Sequence, residues 1–532
     1  MLLSLLLFAC THAVTTDESG VGGETGDSGP GYTLTGDVGV GEVQACVNPQ
    51  ASVSYTEVGA AMGIAVDPHY AGQDHEGGSL AVLDVDQDGD LDFAVVFPTD
   101  GFLYRRVDDH FEVEALDGVL QPMLVSLTAL NEDEHLDLLV AGQRPLTLLG
   151  DGVGFAAPGA VATVVDPISA KNGTKILAPG DLDLDGYNDA FAVVNGIAEP
   201  PERQSLADFV LWGDGSGSLN IDPDAVPATG ERRGFEAQVF EWQGQRAMYV
   251  VNDMGAQFGG NVLYTIEDRA FVDQSAACFC GIEQSAMGLD IADWNGDGLA
   301  DIYVAATPRN TLLTAQPDGS FVDQALATNS GGVRDEASGM TWGAGFFDYD
   351  NDGDLDILDA QGGLFDERIP EEVLRAQPIW LLSQEDGMFV EVGEALGLAQ
   401  AGSYRSLAAE DFNGDGVPDL LVTALSEPSH LYLSDGCTAN GWIDVAAPID
   451  SRVEVTAGGV THTAWTQTHF GYGGARRPIA HIGLGDQQTV ERIVVTTPMG
   501  EVMGLEGTLE ARRQVVFGTV PGVTRSAVTR SE

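Results

Sequence analysis

Through its middle the chain alternates between short apolar runs and acidic, glycine-bearing turns. Ser79-Leu-Ala-Val-Leu83 and Phe93-Ala-Val-Val96 flank one such turn. Runs this short, rich in β-branched and aromatic residues and bounded by Gly and Asp, predict strands. A third run follows the second, then a Gly/Asp turn, then a fourth run carrying an aromatic. Leu148–Phe155, Thr311–Val322 and Leu381–Val390 are examples. The pattern predicts an all-β chain of four-stranded meanders. The turns joining first and second strands begin at 84, 129, 181, 239, 293, 348 and 411, spaced 45 to 63 residues apart. Periods in this range indicate repeated β-units such as propeller blades.

Five of these turns share the spacing D-x-[DN]-x-D-G-x-x-D. The first holds Asp84, Asp86, Asp88, Asp90 and Asp92, and the second Asp181, Asp183, Asp185, Tyr187 and Asp189. The third holds Asp293, Asn295, Asp297, Leu299 and Asp301, and the fourth Asp348, Asp350, Asp352, Asp354 and Asp356. The fifth holds Asp411, Asn413, Asp415, Val417 and Asp419. Oxygens at positions 1, 3 and 5 of a tight loop point inward together. The glycine at 6 allows the sharp turn, a carbonyl at 7 and a carboxylate at 9 complete the set, and hard oxygens in this number suit Ca²⁺. The loops are not EF-hands, which need a Glu at position 12 and flanking helices. About five Ca²⁺ ions are expected, one per full loop. The turn Ala129–Asp137 keeps positions 3, 5 and 9 only, so weak metal or none is expected there. Val239–Ala247 keeps only the glycine and the following strand, and no metal is expected.

The formal charge of −59 changes the picture of partners. Of the 23 basic residues only Lys171 and Lys175 are lysines. Such a balance excludes nucleic acid, whose phosphates require Lys/Arg patches. It also disfavours an electrostatic grip on anionic lipid. Like charge in this amount often means disorder, but 44% of the residues are hydrophobic and a sizeable core is available. The loops account for the densest acid, and the remainder reads as a solvated, lysine-poor surface.

Met1–Ala9 is apolar, too short to span a bilayer, and ends at Cys10. Leu7-Phe8-Ala9-Cys10 resembles the lipobox of a bacterial lipoprotein signal peptide, which implies export and lipidation of Cys10. Residues 11–45 are rich in Gly, Thr, Asp and Ser and read as a disordered tether. Export permits disulfides. Cys278 and Cys280 are too close in sequence for an unstrained bridge, and the chain has no CxxC pair or zinc spacing.

The loops and the turn-plus-Phe strands over residues 52–436 resemble FG-GAP or VCBS repeats, the blades of calcium-binding propellers. The resemblance implies a seven-bladed propeller over 46–437. The seventh unit breaks off at Cys437 without a fourth strand, while one of that type, Val53–Val58, stands before the first loop. Residues 52–58 are therefore expected to complete blade seven, which brings Cys46 and Cys437 together as a possible disulfide. From 438 to 520 the metal pattern is absent. Phe470–Gly474, His481–Gly485 and Thr497–Gly500 resemble pieces of the ASPIC/UnbV domain, which follows such propellers in the cartilage acidic protein-like family. Residues 521–532 read as a tail.

No catalytic motif appears in a supporting context. His462, His469 and His481 read as packing residues rather than a trio. Trp212, Trp242, Trp342 and Trp380 read as blade packing before a sugar-binding surface. The expected function is an exported calcium-binding module, a cell-surface lipoprotein or a secreted protein, that binds or adheres to an extracellular protein or glycan. Membrane contact is expected only through the lipid anchor. The alternative is a polysaccharide-acting lyase or hydrolase with its site in the central channel or on the face opposite the loops. A deep channel with a His, Tyr, Arg or carboxylate cluster of perturbed pKa favours the enzyme, and a channel plugged by apolar side chains favours the binding module.

Overall fold

A computed structural model describes residues 32–46, 48–66, 78–119, 122–142, 145–156, 159–160, 173–195, 207–227, 232–332, 340–363, 376–425 and 427–523. The lipobox with Cys10, segment 11–31 and the chain from 524 lie outside the described residues. Among the described residues seven antiparallel four-stranded units follow one another, the first extended by the short parallel strand Gly474–Ala475. Blade 1 is Ser79–Leu83, Asp92–Val96, Gly101–Val107 and His110–Ala115. Blades 2 to 6 repeat this order over 122–160, 173–222, 234–273, 285–323 and 340–391. Blade 7 takes Tyr404–Glu410, Asp419–Ala424 and His430–Ser434 from one part of the chain and Tyr55–Glu57 from another. The first strand of each blade packs on the first strand of the next, and Tyr404–Glu410 packs on Ser79–Leu83, which closes the ring.

Position in the blade explains the hydrophobic pattern. Inner strands are covered on both faces by neighbouring blades, so Asp92–Val96 and Asp356–Gly362 are buried throughout. Fourth strands meet water on one face and alternate. Phe111, Phe271, Phe321 and Phe389 are buried, while Val113, Val272, Val322 and Val390 are exposed. Each buried Phe contributes roughly 1.5–3 kcal/mol of transfer free energy. In blade 2 the outermost strand is Gly159–Ala160, and Phe155 forms a single bridge with Gly150 instead of the strand expected there.

The C-terminal domain is a sandwich of a five-stranded and a four-stranded sheet. Val453, Ile493, Val515 and Phe517 lie in the core between them. Two of its strands come from the other end of the chain. Tyr32–Thr35 pairs with Val502–Glu510, and Val38–Val40 pairs with Arg513–Phe517. The tether expected to reach residue 45 is therefore corrected: from Tyr32 the segment is built into the sandwich. Tyr32, Leu34, Val38 and Val40 supply enough alternating apolar surface to pair. The expected tail also starts later, since Val520 and Val523 are buried and Gly522 N–H donates to the Glu134 carbonyl.

Cys46 and Cys437 are bridged, with Cα atoms 5.6 Å apart, beside the seam of blade 7. Cys278 and Cys280 are also bridged, a pairing that their spacing does not forbid. Phe279 between them adopts a left-handed φ of 55°. Among the described residues no helix is long and apolar enough to cross a membrane.

Candidate functional site

The five full loops share one hydrogen-bonded frame. In the first, the Asp84 carboxylate accepts from Asp88 N–H and Gly89 N–H, both at 3.1 Å. Asp181, Asp293, Asp348 and Asp411 each accept from the corresponding two amides. Gly89 supplies the left-handed backbone this turn needs, with φ 99°. The ninth position acts differently. Asp92 accepts from Val85 N–H at 2.9 Å inside the loop and from Arg106 N–H at 2.7 Å on the third strand. Asp189, Asp356 and Asp419 tie loop to third strand in the same way. Position 9 is thus a strut as well as a candidate ligand, a role that spacing alone does not reveal.

In three loops, carboxylate oxygens at positions 1, 3 and 9 lie within 4.8 Å of one another: Asp84, Asp86 and Asp92; Asp181, Asp183 and Asp189; Asp348, Asp350 and Asp356. The other two full loops have Asn at position 3. Asp86 Oδ1 is buried without a protein partner. Burial, reinforced by neighbouring aspartates, raises Asp92 and Asp189 to about 7 and Asp301 to about 8. These groups hold protons at a pH where ordinary aspartates are charged, and a hard dication satisfies the same demand. The donor set therefore fits Ca²⁺.

Neighbours then distinguish the loops. Arg269, at the hairpin tip between Val262–Glu267 and Ala270–Asp273, crosses from blade 4 to the 181 loop. Its guanidinium pairs with Asp183, lies 3.5 Å from Asp185 and stacks 4.6 Å from the Trp212 ring centroid. In the 411 loop, Ser434 Oγ donates to Asp415 Oδ2 at 2.8 Å. The 129 loop keeps the strut, with Asp137 accepting from Leu130 N–H at 2.6 Å and Gly150 N–H at 2.9 Å. The turn at 239–247 is no loop at all. Its strands pair up to Trp242 and Gln245, leaving Gln243 and Gly244, both left-handed, as a two-residue hairpin turn.

The C-terminal domain sits over the loop side of the ring. His481 contacts Asp444 Oδ1 at 2.7 Å and Asn351 Oδ1 at 2.6 Å, linking sandwich to propeller. Burial works to lower its pKa, but Asp444, helped by Asp348 and Asp411, more than offsets this and raises it. Gly485 N–H donates to the Asn351 carbonyl at 2.9 Å, and Asn440 Nδ2 to the Asp350 carbonyl at 3.0 Å. A Cβ on Gly483 would come 1.9 Å from Asp348 Oδ2, so only glycine fits that contact. Arg477 pairs with Glu410 at 2.8 Å, and Arg246 with Asp450 at 2.5 Å.

The same domain fills the central channel. Its segment Thr466–Ala475 runs among the inner strands. Gly474–Ala475 adds as a parallel strand beside Leu80–Ala81, Gly471 bridges Leu289, and Thr468 Oγ1 donates to the Leu127 carbonyl at 2.8 Å. Inner strands carry register shifts at Thr174/Ile176, Gly234/Glu236 and Thr341/Ala344. Lys175, Phe235 and Trp342 stand in these irregular stretches and surround Tyr472. Lys175 Nζ lies 4.7 Å from the Phe235 ring centroid and 5.2 Å from that of Tyr472, while the Trp342 and Tyr472 rings are 5.4 Å apart. Arg405 stacks 4.2 Å from Trp342. Glu236 accepts from Gly473 N–H at 2.9 Å, and burial raises it to about 8. The residues 470–474 that carried the sequence resemblance are this plug.

Residues 293–358 match the FG-GAP-like repeat, 403–435 the FG-GAP repeat, and 446–518 ASPIC and UnbV. The chain carries FG-GAP repeats and an ASPIC/UnbV domain. Human cartilage acidic protein 1 is 23% identical over 520 residues, covering 85% of this chain and 72% of that protein. Among solved structures, BBS1N in complex with ARL6DN aligns with TM-score 0.41 at 8% identity, over 70% of this chain and 96% of that one. An Agrocybe aegerita lectin that recognises non-reducing terminal N-acetylglucosamine aligns with TM-score 0.34 at 13% identity, over 65% and 84%. The FG-GAP matches fall on the 293, 348 and 411 loops, and the ASPIC/UnbV match on the domain that covers them.

The three histidines do not converge. His469 is buried against the Leu289 carbonyl, His481 bridges Asp444 and Asn351, and His462 lies beside Gly353. Trp212 and Trp342 are buried, and Trp242 donates to the Gly319 carbonyl at 3.1 Å. Trp380 packs in the cluster of Trp294 and Phe346.

Proposed function

We propose that this chain is an exported, calcium-binding FG-GAP propeller that serves as a cell-surface binding or adhesion module for an extracellular protein or glycan. The observation that carries the reading is the plug. Tyr472 and its neighbours occupy the channel in which a polysaccharide-acting enzyme would place its site. The outer surface remains for recognition. About five Ca²⁺ ions, held at the loops starting with Asp84, Asp181, Asp293, Asp348 and Asp411, would neutralise the packed carboxylates and stiffen the face on which the ASPIC/UnbV domain rests. Likeness to human cartilage acidic protein 1 supports an extracellular setting, and a lipid on Cys10 would hold the protein at the surface. The test is a thermal melt of the full chain in EDTA and in excess Ca²⁺, with a pull-down from cell-surface extracts under both conditions. The melting temperature should fall on chelation and recover with Ca²⁺. An unchanged melt removes the calcium reading, and absence of any retained protein or glycan removes the binding role.

A further inference from the structure

A cavity of about 350 Å³ lies between the propeller and the ASPIC/UnbV domain. This is near the low end for small-ligand sites, roughly 300–1,000 Å³. Turns of blades 5 and 6 form one side and strands Val460–Trp465 and Ile479–Gly483 the other. Trp294, Trp465 and His462 are among the lining residues. The Trp294 indole is held in place by donating to Thr314 Oγ1 at 3.1 Å. Two buried polar atoms of lining residues have no partner in the protein. One is the acceptor Gln384 Oε1, on a side chain only 8% exposed, and the other is the donor Arg476 Nε. Leaving such an atom unpaired costs about 1–3 kcal/mol. The Gln384 backbone N–H is committed to Asp356, so the free amide oxygen is not needed to hold the loop.

We propose that this cavity binds a neutral sugar, the terminal residue of a glycan. The proposal rests on the reading of the protein as a surface-binding module and gives that module a site. A sugar hydroxyl both donates and accepts, so one ligand type offers a partner to Gln384 and to Arg476 once a side-chain rotation turns these atoms toward the cavity. Its C–H face packs on indole, and an apolar wall with a few convergent polar groups is the usual make-up of such a site. An anionic ligand would meet the Asp354 carboxylate on the propeller side. A cationic ligand would meet the Arg476 guanidinium. A neutral polyol avoids both penalties. Exposed Val460 and Asp354 mark an open edge of the cavity.

The test uses the full chain in excess Ca²⁺ on a glycan array, followed by calorimetric titration with free glucose, galactose, mannose, fucose, N-acetylglucosamine and N-acetylgalactosamine. At least one sugar should bind, and Gln384→Ala and His462→Ala should each weaken it tenfold or more while keeping the wild-type melting temperature. No signal on the array and no heat from any sugar overturns the proposal and leaves the calcium-binding module standing. Sugar binding undiminished in both folded variants overturns it too, since the ligand then sits elsewhere. Loss of the calcium-dependent melting shift in the wild type strikes the underlying reading instead.

Discussion

The loops 181–189 and 348–356 share one spacing, one glycine turn and one pattern of amides donated to the first and ninth carboxylates, yet different neighbours close over them. Over the 348 loop lies a whole domain, with His481, Gly483 and Gly485 against its backbone and side chains. The 181 loop is bordered instead by two arginines of the next blade: Arg269, paired with its third and fifth positions, and Arg246, which donates to the Asp181 carbonyl and pairs with Asp450 of the second domain. A local motif sets the frame of the site. Its burial, its competing cations and its coupling to the rest of the molecule come from residues hundreds of positions away or on a neighbouring hairpin.

The largest expected effect tests whether the shared frame is a scaffold apart from metal. Asp356→Ala and Asp137→Ala each strand two buried N–H groups, which costs roughly 3 kcal/mol or more. The Asp137 loss should be equal in Ca²⁺ and in EDTA, because its loop lacks the first-position carboxylate. The Asp356 loss should be larger in Ca²⁺, because a ligand goes with the strut. Chemical denaturation of both variants under both conditions decides this, and a silent Asp137→Ala would show that the strut carries no stability.

Next in size is His481→Ala, expected to cost about 1–3 kcal/mol by leaving Asp444 and Asn351 without their shared partner. The folded pKa of His481 lies above its ordinary value of 6.5. Its ionic stabilisation is therefore complete below pH 6.5 and lost as pH rises through the higher folded value. Melting curves from pH 6 to 9 in EDTA, where Asp348 and Asp411 keep their charge, should converge for wild type and variant as pH rises. A gap independent of pH would mean that His481 acts by packing alone.

A second pH arm reports on the plug. Glu236, with its folded pKa near 8 against an ordinary 4.5, favours the fold when protonated. Its contribution is complete below pH 4.5 and fades as pH rises through about 8. Glu236→Gln, measured as a denaturation midpoint from pH 6 to 9, should flatten the decline between pH 6 and 8. An unchanged slope would place the titration elsewhere.

The smallest effect concerns Arg269. Its guanidinium is half-exposed, so Arg269→Ala should change stability by roughly 0–1 kcal/mol. It should nevertheless raise calcium affinity at the 181 loop severalfold by removing a competing cation. Calcium titration of the variant against wild type measures this, and an unchanged isotherm would reduce Arg269 to a surface pair.

The loop frame was legible because its contacts span only a few residues: the first carboxylate reaches amides four and five positions on, and glycine supplies the one left-handed turn. The meander was legible because inner strands are continuously apolar and fourth strands carry a buried Phe. The origin of blade 7's fourth strand was legible because Val53–Val58 is the only unassigned run of that type and a closed ring needs it. The strands Tyr32–Thr35 and Val38–Val40 were not, since their flanks are polar and glycine-rich and their partners lie more than 450 residues on. The plug was equally hidden. Phe470, Tyr472 and their glycines fit because Gly288 and Gly345 leave room on inner strands, a complementarity that no local pattern records.

By itself, then, the sequence determined the repeating β-meander and the five carboxylate loops, because spacing, glycine and side-chain chemistry act over a single turn. Only the tertiary structure decided that the loops lie beneath a second domain, that an arginine guards one of them, and that a segment of that domain runs among the inner strands. Those outcomes depend on which distant surfaces meet, and burial and pairing energies exist only once they do.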